Sequence, residues 1–380
     1  MLAALAVIWF GLDRATGGLF LTPRNLSNLA VQSSVVGVMA TGMVLVIVAR
    51  HIDLSVGSLL GFTGMAIAVL QAEWLPAGAA WAWPASLAAG LALGAAVGAW
   101  QGWWVAWRGL PSFVVTLAGL LIFRGAAYLL TDGRTVAPLH PRHALLGGGV
   151  EGSLGATGSW ILGGAAMAAL ATLRLRARAR RRALGVPARS LALELALLLA
   201  WCAGIAGFVA VMNAYTLPRS DVARGIPVPV LLLIAVAAGM GGLARATRFG
   251  RHVFALGGSP EAAALAGIDT RRVILGVFTL MGLTAGLAGA ISTARLEAGT
   301  SSMGTLAELS VIAAAVLGGT SLAGGAGSVG GAILGAVVMQ SLDNGMVLLG
   351  VSSPMRQVWI GAVLIVAVWL DALVRRRRGS

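Results

Sequence analysis

Long apolar runs recur along this chain, and they constrain its fold more than any other feature. Many approach the length of about 20 residues that an α-helix needs to cross a bilayer, and 58% of the 380 residues are hydrophobic. We therefore predict an all-α fold, a polytopic transmembrane helical bundle of about 10 to 12 membrane segments that include broken or re-entrant helices. The predicted segments are residues 2–12, 26–49, 59–72, 85–107, 111–130, 159–173, 191–212, 228–244, 273–293, 306–319, 326–349 and 356–373.

The basic residues predict how these segments are oriented. All 27 are arginine, and with the N-terminus inside, 18 of them fall on the inner side and 8 on the outer side. Inner loops of membrane proteins are enriched in basic residues, so we expect both termini to be cytoplasmic. Orientation also accounts for the net charge of +14 without a nucleic-acid partner. We expect the basic inner loop, residues 174–190, to lie against anionic lipid, and residues 374–380 to form a basic tail.

The chain lacks the residues that common catalytic sites need. Without any lysine it has no Walker A loop and no Schiff-base nucleophile. His140 and His143 are spaced for a metal, but no acidic or cysteine partner lies close in sequence. Because Cys202 is the single cysteine, the chain cannot form an intrachain disulfide. We expect no catalytic residue, metal site or cofactor in this chain, and therefore a transport component rather than an enzyme.

Two stretches interrupt the helical pattern. Residues 49–58 place Asp53, Ser55 and Gly57 between two apolar segments, and residues 318–335 are rich in glycine. Irregular backbone at membrane depth persists only when it is buried in protein or lines a wet cavity. We therefore predict a translocation pathway or gate at these stretches, with close helix packing through glycine as the alternative for the second. Its predicted residues are Gly318, Gly319, Thr320, Ser321, Gly324 and Gly325.

Ionisable residues inside apolar segments are few, and each is a functional candidate because charge at membrane depth is costly. They are Asp53, Arg124, Glu194, Glu308 and Asp343. Asp343, with the adjacent Asn344, is predicted to line the pathway. Glu194 lies near the inner end of its segment, where a carboxylate reaches the interface. Glu308 begins a helix, where the helix dipole alone favours a carboxylate.

Glycines recur every four residues at positions 90, 94, 98 and 102. This spacing places them on one face of a helix, and small residues on such a face allow a second helix to approach closely. We predict a tight helix–helix contact there, either within the subunit or across a dimer.

The polar interval of residues 245–272 is predicted to contain a short helix. Ser259 can cap it, Pro260 suits its first position, Glu261 lies in its first turn and Gly267 can end it. A helix of about two turns is unstable alone in water, so we expect it to pack against its own membrane domain or another protein.

The motif EAAALAG at Glu261–Gly267 resembles the cytoplasmic coupling loop in permease subunits of ABC importers. Four longer stretches resemble the sugar-importing branch of that family. They are IDLSVGS at residues 52–58, GWWVAWRGLPSFVVTLAGLLIFRG at 102–125, TRFGRHVFALGGSPEAAALAGI at 247–268 and AVLGGTSLAGGAGSVGGAILGAVVMQSLDNGM at 315–346. The likeness is greatest to D-xylose permeases and extends from about residue 22 to residue 371.

This resemblance implies a single permease domain over residues 1–380 in the bacterial plasma membrane. It also implies a second permease copy, an ATP-binding subunit with two nucleotide-binding halves, which hydrolyses ATP, and an extracytoplasmic sugar-binding protein. The coupling residues it implies are Ser259, Pro260, Glu261, Ala262, Ala263 and Gly267.

The chain departs from the family pattern in two places. The coupling loop commonly has asparagine at or beside Ser259 and arginine at Ala264, so one basic contact to the ATPase is expected to be missing. The first run is short, and we expect an upstream piece to be missing or the start to be misassigned. Alternatives are a permease for another sugar, a nucleoside or a branched-chain amino acid, or a proton-coupled secondary transporter.

Overall fold

A computed structural model describes residues 1–76, 79–149, 152–185, 190–216 and 220–378. Residues 186–189 of the predicted basic loop and 379–380 of the predicted tail lie outside this range. Fifteen α-helices and no strand occur among the described residues. The helices are α1 (Leu2–Ala15), α2 (Pro23–Val48), α3 (Val56–Val69), α4 (Ala82–Arg108), α5 (Ser112–Leu129), α6 (Pro141–Ala144), α7 (Gly155–Ala183), α8 (Leu191–Asn213), α9 (Val228–Ala246), α10 (Arg248–Gly258), α11 (Pro260–Leu265), α12 (Thr270–Leu296), α13 (Ala307–Leu317), α14 (Val329–Leu348) and α15 (Ser353–Arg378).

The described residues contain nine helices long and apolar enough to cross a membrane. They are α2, α3 with its π-helical extension Leu70–Trp74, α4, α5, α7, α8, α9, α12 and α14. Two shorter apolar helices, α13 and the first part of α15 (Ser353–Val366), accompany them. The all-α polytopic fold predicted from the apolar runs is thereby confirmed.

Helix α2 is the centre of the bundle. In its most apolar 18-residue stretch, 89% of the residues are buried, and α2 packs against α9, α12, α13 and α14. Met39 and Met43 of α2 join Phe278 and Met281 of α12 in the main core, all four fully buried. A helix that is apolar on every face can lie in a protein core or against lipid, and the burial of α2 shows that it lies in the core.

The glycine face of α4 makes the close helix contact that its four-residue spacing predicts, mainly with α12, while Gly90 faces Ile67 of α3. The carbonyl oxygen of Phe278 lies where a side chain on Gly98 would stand, and Cα of Leu275 lies 3.0 Å from the position of a Cβ on Gly102. Gly94 faces Gly282 and Gly286, so glycines of both helices meet. Small residues on both sides allow the two backbones to touch, which gives a rigid pair.

Helix α7 continues beyond its apolar segment. Arg174–Arg182 of the basic run are helical up to Ala183, in keeping with the good helix propensity of arginine. Nη1 of Arg178 lies 2.6 Å from Oε2 of Glu194 on α8, which ties the two helices together. Glu194 therefore pairs with a neighbouring arginine, so its carboxylate is compensated locally.

Candidate functional site

A polar cavity of about 510 Å³ opens at one end of the bundle. It lies between the first half of α2, the end of α12, the second half of α14 and the start of α15. Helices α10 and α11, which connect the end of α9 to the start of α12, lie at the opposite end of the bundle. The polar residues in its wall are Gln32, Ser292, Arg295, Thr305, Ser310, Gln340, Asp343, Asn344, Ser353, Arg356 and Gln357.

Charged and amide groups define the electrostatics of this cavity. Nη1 of Arg356 lies 3.0 Å from Oδ1 of Asp343, and both side chains are partly exposed. Asn344 is buried, and its Oδ1 accepts a hydrogen bond from Nδ2 of Asn25 at 2.9 Å. Arg295 adds a second guanidinium to the wall. Amide, hydroxyl and guanidinium groups together offer donors and acceptors to a neutral polyhydroxyl solute.

The floor of the cavity is a non-helical segment, residues 297–306, that enters the bundle from the cavity end. Gly299 lies beside Ala68 of α3, while Gly304 touches Gly57 near the opposite end of that helix. We call residues 299–306 the re-entrant segment. Gly304 and Leu306 adopt positive φ of 69° and 59°, and α13 then starts within the bundle at Ala307.

Arg124 of α5 holds the re-entrant segment in place. Its Nη1 donates hydrogen bonds to the carbonyl oxygens of Ser301, at 3.0 Å, and Met303, at 2.8 Å. Non-helical backbone inside a membrane protein needs such partners, since lipid offers none. Glu308, at 5% exposure, follows directly in the first turn of α13 and approaches Gly57. The candidate residues Arg124 and Glu308 therefore lie together beneath the cavity.

Asp53 and Ser55 form a buried network at the start of α3. Oδ1 of Asp53 accepts from the backbone N–H of Ser55 at 2.8 Å and from its hydroxyl at 2.7 Å. Nε2 of Gln101 on α4 donates to that hydroxyl oxygen at 2.8 Å. Asp53 is 1% exposed and does not reach the cavity wall. The network fixes the chain between α2 and α3, and Gly57 next to it supports the re-entrant segment.

The glycine-rich stretch forms the connection between α13 and α14. These helices are packed against each other, so residues 318–328 make a turn at the end of the bundle that also holds α10. Within it, N–H of Ser321 donates to the carbonyl of Ala326 at 2.8 Å, and Thr320 is fully buried. Gly318, Gly319, Gly324 and Gly325 share this turn. Helix α14, with 20 residues and so about 30 Å long, separates the turn from the end near Asp343 and Asn344.

Helix α11 has the capping predicted from its sequence. Oγ of Ser259 accepts a hydrogen bond from N–H of Ala262 at 3.2 Å, and Pro260 occupies the first helical position. Gly267, at a φ of 80°, lies in the left-handed conformation just beyond the helix. Backbone hydrogen bonding and then the Ser259 hydroxyl lower the pKa of Glu261, which is fully exposed.

One side of α11 is free for a partner. Ala263 is buried against the protein, whereas the side chain of Leu265 is 91% exposed. A single exposed apolar side chain is common on protein surfaces, so Leu265 is a candidate contact only because it lies within the coupling motif. Leu265 was not among the predicted coupling residues, although its place within the EAAALAG motif could have drawn attention to it.

Sequence reasoning also missed several cavity residues. Gln32, Gln340 and Arg295 line the cavity with Asp343 and Asn344. The two glutamines stand within predicted apolar segments, so a search for any polar side chain at membrane depth, rather than for ionisable ones, would have found them. Arg295 lies just beyond the predicted segment 273–293, and only the packing of α12 shows that it faces the cavity.

Most of the chain matches a known protein family. The model described as branched-chain amino acid transport system / permease component matches residues 25–138 and 146–368. The chain belongs to this permease family. The permease is therefore a multi-pass component of a transport system in the inner membrane and not an enzyme. Permeases of ABC importers work with ATP-binding and substrate-binding partners.

Curated relatives place the permease within the family. It is 42% identical over 99% of its length to the xylose transport system permease protein XylH of Escherichia coli strain K12, of which it covers 92%. XylH of Haemophilus influenzae is 41% identical over 99% of the chain and 96% of the relative. The ribose import permease protein RbsC of Escherichia coli strain K12 is 35% identical over 93% of the chain and 87% of the relative. No solved structure matches the chain.

Proposed function

We propose that this permease imports a pentose, D-xylose in the first place, by alternating access in an ATP-driven transporter. The polar cavity is the observation that carries the proposal. Its volume of about 510 Å³ falls within the range of about 300–1,000 Å³ found for small-molecule sites. Its amide, hydroxyl and guanidinium groups suit the alternating donors and acceptors of a sugar, and relatives 41% and 42% identical are named for xylose transport.

In this proposal the cavity end faces outward and receives the sugar from an extracytoplasmic sugar-binding protein. Asp343, Asn344 and Arg295 contact the sugar while the re-entrant segment, held by Arg124, closes the floor. Release of the floor then opens the pathway inward. The buried network of Asp53 and the α13–α14 turn form the inner part of the moving structure.

The energy comes from a separate subunit in this proposal. An ATP-binding subunit with two nucleotide-binding halves contacts the α11 end of the bundle, and a second permease copy completes a homodimer. Both termini lie in the cytoplasm together with α11. The exposed Leu265 and the exposed carboxylate of Glu261 supply the contact, and closure of the two halves on ATP moves α11.

Reconstitution tests this proposal. The permease, its ATP-binding subunit and its sugar-binding protein are placed in proteoliposomes, and uptake of radiolabelled xylose is followed with and without internal ATP. ATP-dependent uptake that survives an uncoupler supports an ABC importer. Uptake that needs a proton gradient and not ATP would establish the proton-coupled alternative instead.

Site variants test the place of the cavity. We expect Asn344→Ala and Arg295→Gln to reduce xylose uptake by about tenfold, since one lost hydrogen bond to a charged or buried partner amounts to about 1.5 kcal/mol. Arg142→Gln, an exposed arginine outside the cavity wall, is the control. Wild-type uptake by both cavity variants would place the pathway elsewhere.

Ribose is the second candidate solute, because ribose import permeases are 35% identical over 93% of the chain. Competition of labelled xylose uptake by unlabelled ribose, arabinose, a nucleoside and leucine distinguishes the candidates. The solute that competes at the lowest concentration is the substrate. Repeating the assay with a different sugar-binding protein separates the selectivity of that protein from the selectivity of the permease.

A further inference from the structure

Arg50 connects two elements that are far apart in the sequence. It stands just beyond the end of α2, in the left-handed conformation with a φ of 65°. Its Nε donates to the carbonyl oxygen of Gly257 at 2.8 Å and its Nη2 to that of Gly258 at 2.7 Å. These are the last two carbonyls of α10, where the helix dipole adds negative potential that favours a cation. The planar guanidinium therefore donates hydrogen bonds to two successive backbone oxygens at once.

A third segment meets the same point. N–H of Gly325, in the α13–α14 turn, donates to the carbonyl of Val48 at 2.9 Å. Gly324 faces Cγ of Arg50, and Gly257 faces the carbonyl of Val48 so closely that no side chain fits between them. We call this meeting of Val48–Arg50, Gly257–Gly258 and Gly324–Gly325 the three-way junction.

The three-way junction stands between α11 and the cavity. Helix α11 begins at Pro260, directly after the Gly258–Ser259 link, and Arg50 is close enough to Glu261 to lower the pKa of that carboxyl further. On the other side, α2 runs from the junction to Gln32 in the cavity wall, and α14 runs from the adjoining turn to Asp343. Because each of these helices is rigid along its axis, a displacement of one end also displaces the other end.

We infer that Arg50 is the positioning residue that transmits movement of α11 to α2 and to the α13–α14 turn. Its two hydrogen bonds fasten the end of α10 to the end of α2, and the Gly325–Val48 bond adds the turn. Displacement of α11 therefore shifts α2 and α14 together and changes the shape of the cavity. This inference rests on the proposed docking of the ATP-binding subunit to α11.

The test separates ATP hydrolysis from transport. Arg50→Gln removes the charged fork but keeps a polar side chain of moderate length, and it is compared with Arg108→Gln. Arg108 is an exposed arginine at the same end of the bundle, where it stacks on Trp103 at 4.8 Å from the ring centroid. Each variant is reconstituted with both partners, and ATP hydrolysis and xylose uptake are measured in the same proteoliposomes.

We expect Arg50→Gln to keep complex assembly and ATP hydrolysis while the ATP consumed per sugar imported rises about five- to tenfold, since the charged hydrogen bonds that join α2 to α10 are lost. Arg108→Gln keeps the wild-type ratio. A proportional fall of hydrolysis and uptake in Arg50→Gln, with an unchanged ratio, would reduce Arg50 to a structural role and overturn the inference.

Two further arms keep the result decisive. Where Arg50→Gln does not assemble, Arg50→Lys is measured, because it keeps the charge but loses the planar fork; an unchanged ratio there overturns the inference and a raised ratio supports it. Wild-type vesicles distinguish the two proposals. Absence of ATP-dependent uptake in the wild type refutes the proposed function, whereas normal wild-type coupling with an unaffected Arg50→Gln variant refutes only the role of Arg50.

Discussion

The contact between α4 and α12 gives a prediction whose magnitude follows from the structure. Replacing Gly98 by alanine adds a Cβ that overlaps the carbonyl oxygen of Phe278 and lies 2.9 Å from the carbonyl carbon of that residue and 3.1 Å from Cα of Gly282. Carbon atoms pack at about 3.5–4.0 Å, so the two helices must separate by at least about 0.5 Å. The neighbours are backbone atoms, which cannot rotate away as a side chain would.

The consequences of this separation extend along the whole contact. A gap of about 0.5–1 Å removes a quarter to a half of the dispersion energy of each atom pair, and overpacking of a close contact costs about 1–3 kcal/mol. Separated transmembrane helices remain helical in the bilayer, so the advantage of about 1 kcal/mol that alanine has over glycine in a helix does not offset the loss. We expect Gly98→Ala to lower the free energy of unfolding by about 1–3 kcal/mol.

The measurement is the free energy of unfolding in mixed micelles, with Gly125→Ala as the control. Gly125 lies in α5, and no atom stands within 4 Å of an added Cβ there. We expect the control to match the wild type. Equal stability of Gly98→Ala and the control would show that the glycine face of α4 is not a close contact, and the reasoning from its spacing would fail.

Three further predictions concern the floor and the coupling helix. Arg124→Gln, which leaves the carbonyls of the re-entrant segment without a cationic donor, should lower the free energy of unfolding by about 1.5–3 kcal/mol and reduce xylose uptake; an unchanged thermal melting curve and uptake would contradict this. Ser259→Ala removes the cap of α11 and should weaken binding of the ATP-binding subunit, corresponding to about 0.5–2 kcal/mol of helix stability, with Ser259→Asp restoring it; pull-down titrations of both variants decide. The lowered pKa of Glu261 means that its charged form, and any docking that depends on it, is fully present above the ordinary glutamate pKa and is lost only as pH falls through the lower folded value. The ratio of ATPase activity between wild type and Glu261→Gln should therefore stay constant from pH 8 to pH 6. A change within that interval would contradict the lowered pKa of Glu261.

Much of the fold was predictable because the signals are local. Among the described residues, the nine long apolar helices follow from the length that spans a bilayer, and a close contact of α4 with another helix follows from glycines four residues apart. The cap of α11 was equally clear, since Ser259, Pro260 and Gly267 act on their own backbone neighbours. The basic run after residue 173 was less clear, because arginine is common both in loops and in the helix it forms here.

The residues predicted for the pathway lie at both ends of the bundle. Asp343 and Asn344 line the cavity, while the glycines from Gly318 to Gly325 lie at the other end of α14. An interrupted pattern shows where helical backbone stops, but not which end of the bundle the interruption occupies. The role of Asp53 in a gate stays a prediction; in the structure its carboxylate accepts two hydrogen bonds from Ser55.

The sequence by itself determined which stretches become membrane helices, which helix face packs closely and where the short α11 begins. Each depends on side chains within a few residues of one another, so the spacing along the chain carries the information. Only the tertiary structure brought Arg50 to the carbonyls of Gly257 and Gly258, and Arg124 to the re-entrant segment. These contacts join segments separated by well over a hundred residues, and the packing of intervening helices, rather than any local pattern, decides which distant groups meet.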